Sequence, residues 1–200
     1  MNKTLFLLLA ALGLCARAEV TPVPRDHAQK FAETLVQTSA PLTNLALKID
    51  GDARKPDAIK SGQVAALVIP DRNLTEEKLN RAEKDIVPVG QLWLMKMAPA
   101  QNGKIISSDR LRIVTVKTVK EEHQLALYLL GVRKKNDGGE LVIYARDTTP
   151  LLSVALAKAD RSQEMPIELA GETAGDKTGR LTLHLFGKQK AELLVKPQEE

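Results

Sequence analysis

The sequence predicts a mainly β fold: a β-sandwich of about seven to nine strands, with an N-terminal amphipathic helix and a short surface helix. Three observations carry that expectation. From Val89 to Val195, short alternating or β-branched apolar runs are separated by turn residues at intervals of about eight to twelve. Helical spacing is confined to two stretches before Pro88. The 200 residues are 44% hydrophobic and 27% charged, enough apolar side chains for a real core.

The chain opens with Met1-Asn2-Lys3, an uncharged apolar run from Leu5 to Leu14, and Ala16-Arg17-Ala18. A positive start, an apolar stretch too short for a spanning helix and a small-x-small ending form the pattern of a signal peptide over 1–18. Cleavage is expected between Ala18 and Glu19, placing the protein in the periplasm or outside the cell. Cys15 raises the alternative of a lipid anchor, but Leu14 stands where a lipobox needs a small residue. Loss of Lys3, Arg17 and Cys15 would lower the formal charge from +4 to +2 and leave no cysteine. The mature domain then has no disulfide and only a weak basic balance.

Residues 19–41 are expected to be an extended segment and a helix, with 42–200 as a single β-sandwich domain. Asp26 with Gln29 three residues on has the form of a capping box. Ala28, Phe31, Ala32, Leu35 and Val36 form one apolar stripe, which needs a sheet face to cover, and Pro41 stops the helix. Leu45, Leu47 and Ile49 alternate as a half-buried strand before Asp50-Gly51-Asp52. Val64 to Ile69 is continuously apolar, a strand buried on both faces. Thr75 caps a charged surface helix stapled by Leu74 and Leu79 and ending near Pro88.

Strands follow at Val89–Met97, Leu111–Val119, and Leu125–Val132 paired with Leu141–Arg146 around Asn136-Asp137-Gly138-Gly139, a strong hairpin signal. Shorter ones lie at Leu151–Leu156 and Ile167–Ala170. Arg180–Phe186 and Ala191–Val195 flank Gly187. A three-residue loop over Gly187–Gln189 puts Leu181, Leu183 and Leu185 on one face with Ala191, Leu193 and Val195, and sets His184 opposite Glu192. In rhythm, Leu125 to Val195 resembles the C-terminal halves of small exported β-sandwich domains. Immunoglobulin-like and jelly-roll-like topologies both fit the strand count, and no Cys…Trp…Cys framework favours an antibody-type domain.

Most chemistries find no support. Gly171 to Thr178 has the wrong spacing for a phosphate loop and precedes a strand, where a helix is required. His27, His123 and His184 are scattered, and on a strand Glu122 points away from Glu121 and His123, so no metal site and no cofactor are expected. Ser107-Ser108-Asp109 lacks a nucleophile elbow. Arg133-Lys134-Lys135 at a hairpin tip reads as a solvated turn, and aromatics are only 3%, so no nucleic-acid partner is expected.

The ligand-binding candidates are Trp93, Tyr128, Tyr144, His184 and Glu192. Tyr128 and Tyr144, taken by parity to share a face with Leu130 and Val142, form either a groove wall or a second packed layer. Trp93 alternates with Met95 and Met97 as core. The leading expectation is a non-catalytic cell-envelope module that contacts a protein or envelope polymer, without a transmembrane segment. One alternative is a small-ligand carrier with a pocket between the sheets. Another is a hydrolase using His184, Glu192 and a loop serine.

Overall fold

The computed structural model describes residues 19–81, 85–117, 122–135, 138–175 and 177–198; the expected signal peptide, with Cys15, lies outside them. The chain runs β1 (Thr21–Pro22), α1 (Arg25–Ser39), β2 (Asp57–Ser61), β3 (Val64–Pro70), α2 (Glu76–Asn80), β4 (Val87–Met95), β5 (Met97–Gln101) and β6 (Lys104–Ile105). A 3-10 turn (Ser108–Arg110) follows, then β7 (Arg112–Lys117), β8 (Glu122–Lys135), β9 (Gly138–Tyr144), β10 (Leu152–Ala155) and β11 (Ala157–Lys158). The last three strands are β12 (Ile167–Gly175), β13 (Thr178–Leu185) and β14 (Gln189–Pro197). The protein is mostly β, with one sheet of eight strands in the order β1-β2-β3-β4-β8-β9-β10, and one of six in the order β12-β13-β14-β5-β6. β7 shares the β9 edge of β8, and β11 shares the β5 edge of β14.

Alternation along the strands of the larger sheet produces two apolar faces. One cluster holds Val68, Leu92, Tyr128, Leu130 and Ile143 together with Ile167, Leu183, Leu185 and Leu193 of the smaller sheet. The opposite face gathers Leu67, Ile69, Trp93, Leu127, Leu129 and Val142 beneath Ala28, Ala32 and Leu35 of α1. Burial on both faces is the reason β3 is continuously apolar, as its sequence indicates. The helix covers a sheet face, again as the stripe requires.

Several local expectations are corrected. α1 has Pro24 at its N-cap with no side-chain cap, and Asp26 sits in the first turn. Proline sets the entry angle here, and Gln29 Nε2 instead donates to the Arg54 carbonyl at 2.8 Å. The buried stripe is narrower than expected, Ala28, Ala32, Leu35 and Ser39, while Phe31 is 48% exposed. Leu45, Leu47 and Ile49 form no strand; they pack irregularly on the cluster beneath α1, and their alternation reflects packing without a ladder. The β2 strand was not foreseen, since Asp57–Ser61 carries only two apolar residues.

α2 matches its signals more closely. Lys78 N–H donates to the Thr75 hydroxyl at 3.2 Å, and Leu74 and Leu79 are both buried as the staple requires. The helix ends at Asn80, well before Pro88, which lies inside β4 beside a register shift. The run Val89–Met97 divides at Lys96, whose φ of 54° turns the chain from the larger sheet into the smaller.

One carboxylate joins the two sheets. Asp57 at the head of β2 accepts a hydrogen bond of 2.6 Å from Leu169 N in β12. Burial pushes its pKa up, with nearby Glu168 adding, against the opposing backbone donors of Leu169 and Ala58 and the charge of Arg161. Between the ordinary Asp value of about 3.9 and the raised one, the folded protein keeps a proton that the unfolded chain has released. Stability therefore falls as pH rises through that window, and the cost persists above it. Asp57→Asn keeps an acceptor for Leu169 and should be no less stable than the parent at pH 7, with the dependence in that window flattened. Asp57→Ala orphans the amide and should lose about 1–3 kcal/mol in urea melts. Equal losses for the two variants would show that the charge itself is needed.

Candidate functional site

The three aromatic candidates do not line one groove. Lys135 pairs with Gly138, and across such a two-residue connection opposed residues have numbers of opposite parity, so Tyr144 lies opposite Leu129. Tyr128 and Leu130 therefore face the smaller sheet, while Tyr144 and Val142 face the helix side. The expectation that the tyrosines share a face fails on this register. Tyr128 is fully buried, and its hydroxyl makes no hydrogen bond among the described residues. Burial alone drives its pKa far upward, so it stays protonated.

Trp93 is core, as its alternation indicates, and it belongs to a buried polar chain. Its Nε1 donates to Gln91 Oε1 at 3.1 Å, and Gln91 Nε2 donates to Ser39 Oγ at 3.2 Å. The chain ties β4 to the last turn of α1. Its groups satisfy one another, which is what burial demands of polar atoms.

His184 and Glu192 lie on the outer face of the smaller sheet. The loop between β13 and β14 does have three residues, but they are Phe186 to Lys188, one position earlier than expected. The leucine face is unchanged, and His184 stands opposite Lys190 while Glu192 stands opposite Thr182. Burial, then Arg161 and Lys190, lowers the His184 pKa, leaving the imidazole neutral at pH 7. The Lys190 ammonium, 2.7 Å from Glu192, holds that carboxyl below its usual range, with Arg180 3.6 Å away on its other side.

The loop serines are elsewhere. Ile106 N donates to Pro99 O, and Pro99 pairs with Val195, which puts Ser107 near the far end of β14. From there to Lys190 is about 17 Å of strand at ~3.3 Å per residue, so these groups do not converge. The Ser107 hydroxyl donates to the Asp109 carboxylate and lowers its pKa, ordinary turn chemistry. At the other basic tip, Arg133 pairs with Glu140, and Lys135 Nζ lies 3.5 Å from the same carboxylate. Among the described residues no three His, Cys, Asp or Glu side chains are grouped to hold a metal, and no helix is long and apolar enough to cross a membrane.

A concave feature that the sequence did not reveal lies where the edges of the two sheets approach. It is a cleft of about 290 Å³ between β2 and β3 on one side and β12, β13 and β14 on the other. Its walls include Ile59, Val64, Met97, Leu181 and Val195. On this face β12 runs Ile167, Leu169, Gly171, Thr173 and β13 runs Leu185, Leu183, Leu181, Gly179, so Gly171 stands opposite Leu181 and Gly179 opposite Thr173. A Cβ on Gly171 would lie 2.9 Å from Ile59 Cδ1 and 3.1 Å from Val20 Cγ1, and one on Gly179 would lie 3.2 Å from Val195 Cγ2. These two glycines interrupting the leucine alternation were the available sequence signal. No protein-family model, curated protein or solved structure matches this chain.

Proposed function

We propose that this protein is an exported, non-catalytic binding module whose two sheets close as a β-sandwich and whose cleft holds a small, largely apolar ligand. The observation that carries the reading is the cleft itself, walled by Ile59, Val64, Met97, Leu181 and Val195 where β2 and β3 approach β12, β13 and β14. Apolar walls kept in contact with water lose about 25 cal/mol per Å² that burial would recover, and a ligand chain supplies that burial. The aromatic candidates are spent on packing, and His184 lies half-buried on the outer face of the smaller sheet, away from the cleft, so neither competes as the binding element. Export rests on the leader pattern of residues 1–18.

Two measurements test the reading. Expressed with its full leader, the protein should be recovered outside the cytoplasm with Glu19 as its first residue, read by mass spectrometry. In an amide NMR titration with decanol, the largest shifts should fall on Val20, Gly171, Gly179 and Leu181. Shifts spread evenly over the molecule, or none at all, would end the cleft reading.

A further inference from the structure

The geometry points to the class of ligand: a single-chain amphiphile with an anionic head, its chain between the sheets and its carboxylate or phosphate at the lip. This deepens the cleft reading above and rests on it. The volume of about 290 Å³ sits at the lower edge of the ~300–1,000 Å³ range of ligand cavities, which suits one alkyl chain better than the two of a bilayer lipid.

The lip is where the charge lies. Lys60, Lys177, Arg180 and Lys196 border the cleft, with Glu172 as the acid among its lining residues. Arg180 is already neutralised, because Glu172 and Glu192 both approach its guanidinium. Lys196 donates one hydrogen bond to the Gly103 carbonyl at 2.7 Å and keeps its charge and two further donors. Lys60 and Lys177 pair with no carboxylate among the described residues. Lys177 and Lys196 also border a neighbouring hollow of about 680 Å³, open to Ser107 and Ser108, which gives a head group room beyond the apolar throat. A cationic head would meet like charge at this lip, and a neutral head would leave the lysines unused.

The test compares decanoate, decyl phosphate, decanol and decylammonium below their micellar concentrations, by the same amide titration. An anionic head should bind about tenfold more tightly than decanol, and the margin should shrink at about 0.5 M salt, as lip electrostatics are screened. Which anionic head binds better identifies carboxylate or phosphate as the natural group. Lys60→Glu with Lys177→Glu, both exposed positions, should abolish the anionic margin, favour decylammonium and leave decanol unchanged. Equal binding of decanol and decanoate, or an anionic margin that survives the double substitution, overturns the head-group inference and leaves the cleft standing. If no probe moves Gly171 or Gly179, both readings fall together.

Discussion

Deletion of residues 19–40 should unfold the protein or leave it aggregated. The segment contains α1, whose Ala28, Ala32 and Leu35 are buried to 2% exposure or less against the larger sheet. Removing it strips cover from Leu67, Trp93, Leu127 and Leu129, which now sit in the same cluster. A fully buried large apolar side chain is worth about 1.5–3 kcal/mol, so uncovering even part of four of them costs about 5 kcal/mol. That is comparable with the whole stability of a typical domain, about 5–15 kcal/mol. The deletion also removes Ser39, the partner of Gln91, and so loosens the acceptor held by Trp93. Trp93 is the single tryptophan, so its emission reports this cluster directly. A shift to the emission of a solvated indole is expected. An unchanged melting temperature and spectrum would make α1 an independent element instead.

Gly187→Ala should be the most damaging single substitution in the smaller sheet. Gly187 has φ of 68°, and a Cβ there would stand 2.0 Å from the Arg161 carbonyl oxygen, which is backbone and cannot swing aside. The left-handed conformation alone costs an alanine about 1–2 kcal/mol. Relief of the clash must separate the turn from the 159–161 segment, breaking Arg161 N to Gly187 O (3.1 Å) and Ala159 N to Lys188 O (2.8 Å). A total of about 3–5 kcal/mol follows, or about 6–20 °C in Tm for a chain of this size. Gly103→Ala provides the control, since its φ of 75° meets nothing within 4 Å and should cost only the conformational part. If the two variants melt together, the approach to Arg161 is not what holds the turn.

The same turn shows how far local pattern reaches. Alternation of Leu181, Leu183 and Leu185 with Ala191, Leu193 and Val195 was enough to choose a three-residue loop and the buried face. It could not choose between loops over 186–188 and 187–189, because both keep the same side chains inward. The choice falls to Phe186 N meeting Pro166 O and to the Arg161 contact, which join residues about 20 or more apart in sequence. The cleft was equally hidden. Gly171 and Gly179 are visible as breaks in an apolar row, but Ile59 and Val20 pack directly onto Gly171, and the cleft beside it exists only because β2 and β3 arrive opposite from another part of the chain.

The β-rich character, the doubly buried β3, the Thr75 cap with its staple and the inward leucine faces were all determined by the sequence itself, because each depends on neighbours within one or two turns of chain. Which layer each apolar face meets was decided only by tertiary structure. Leu92 and Trp93 are adjacent and both fully buried, yet one faces the second sheet and the other the helix. Hydrophobic burial is non-directional, so the residues of a doubly buried strand specify that both faces are covered without specifying by what. Long-range strand register and the Lys96 turn supply that choice.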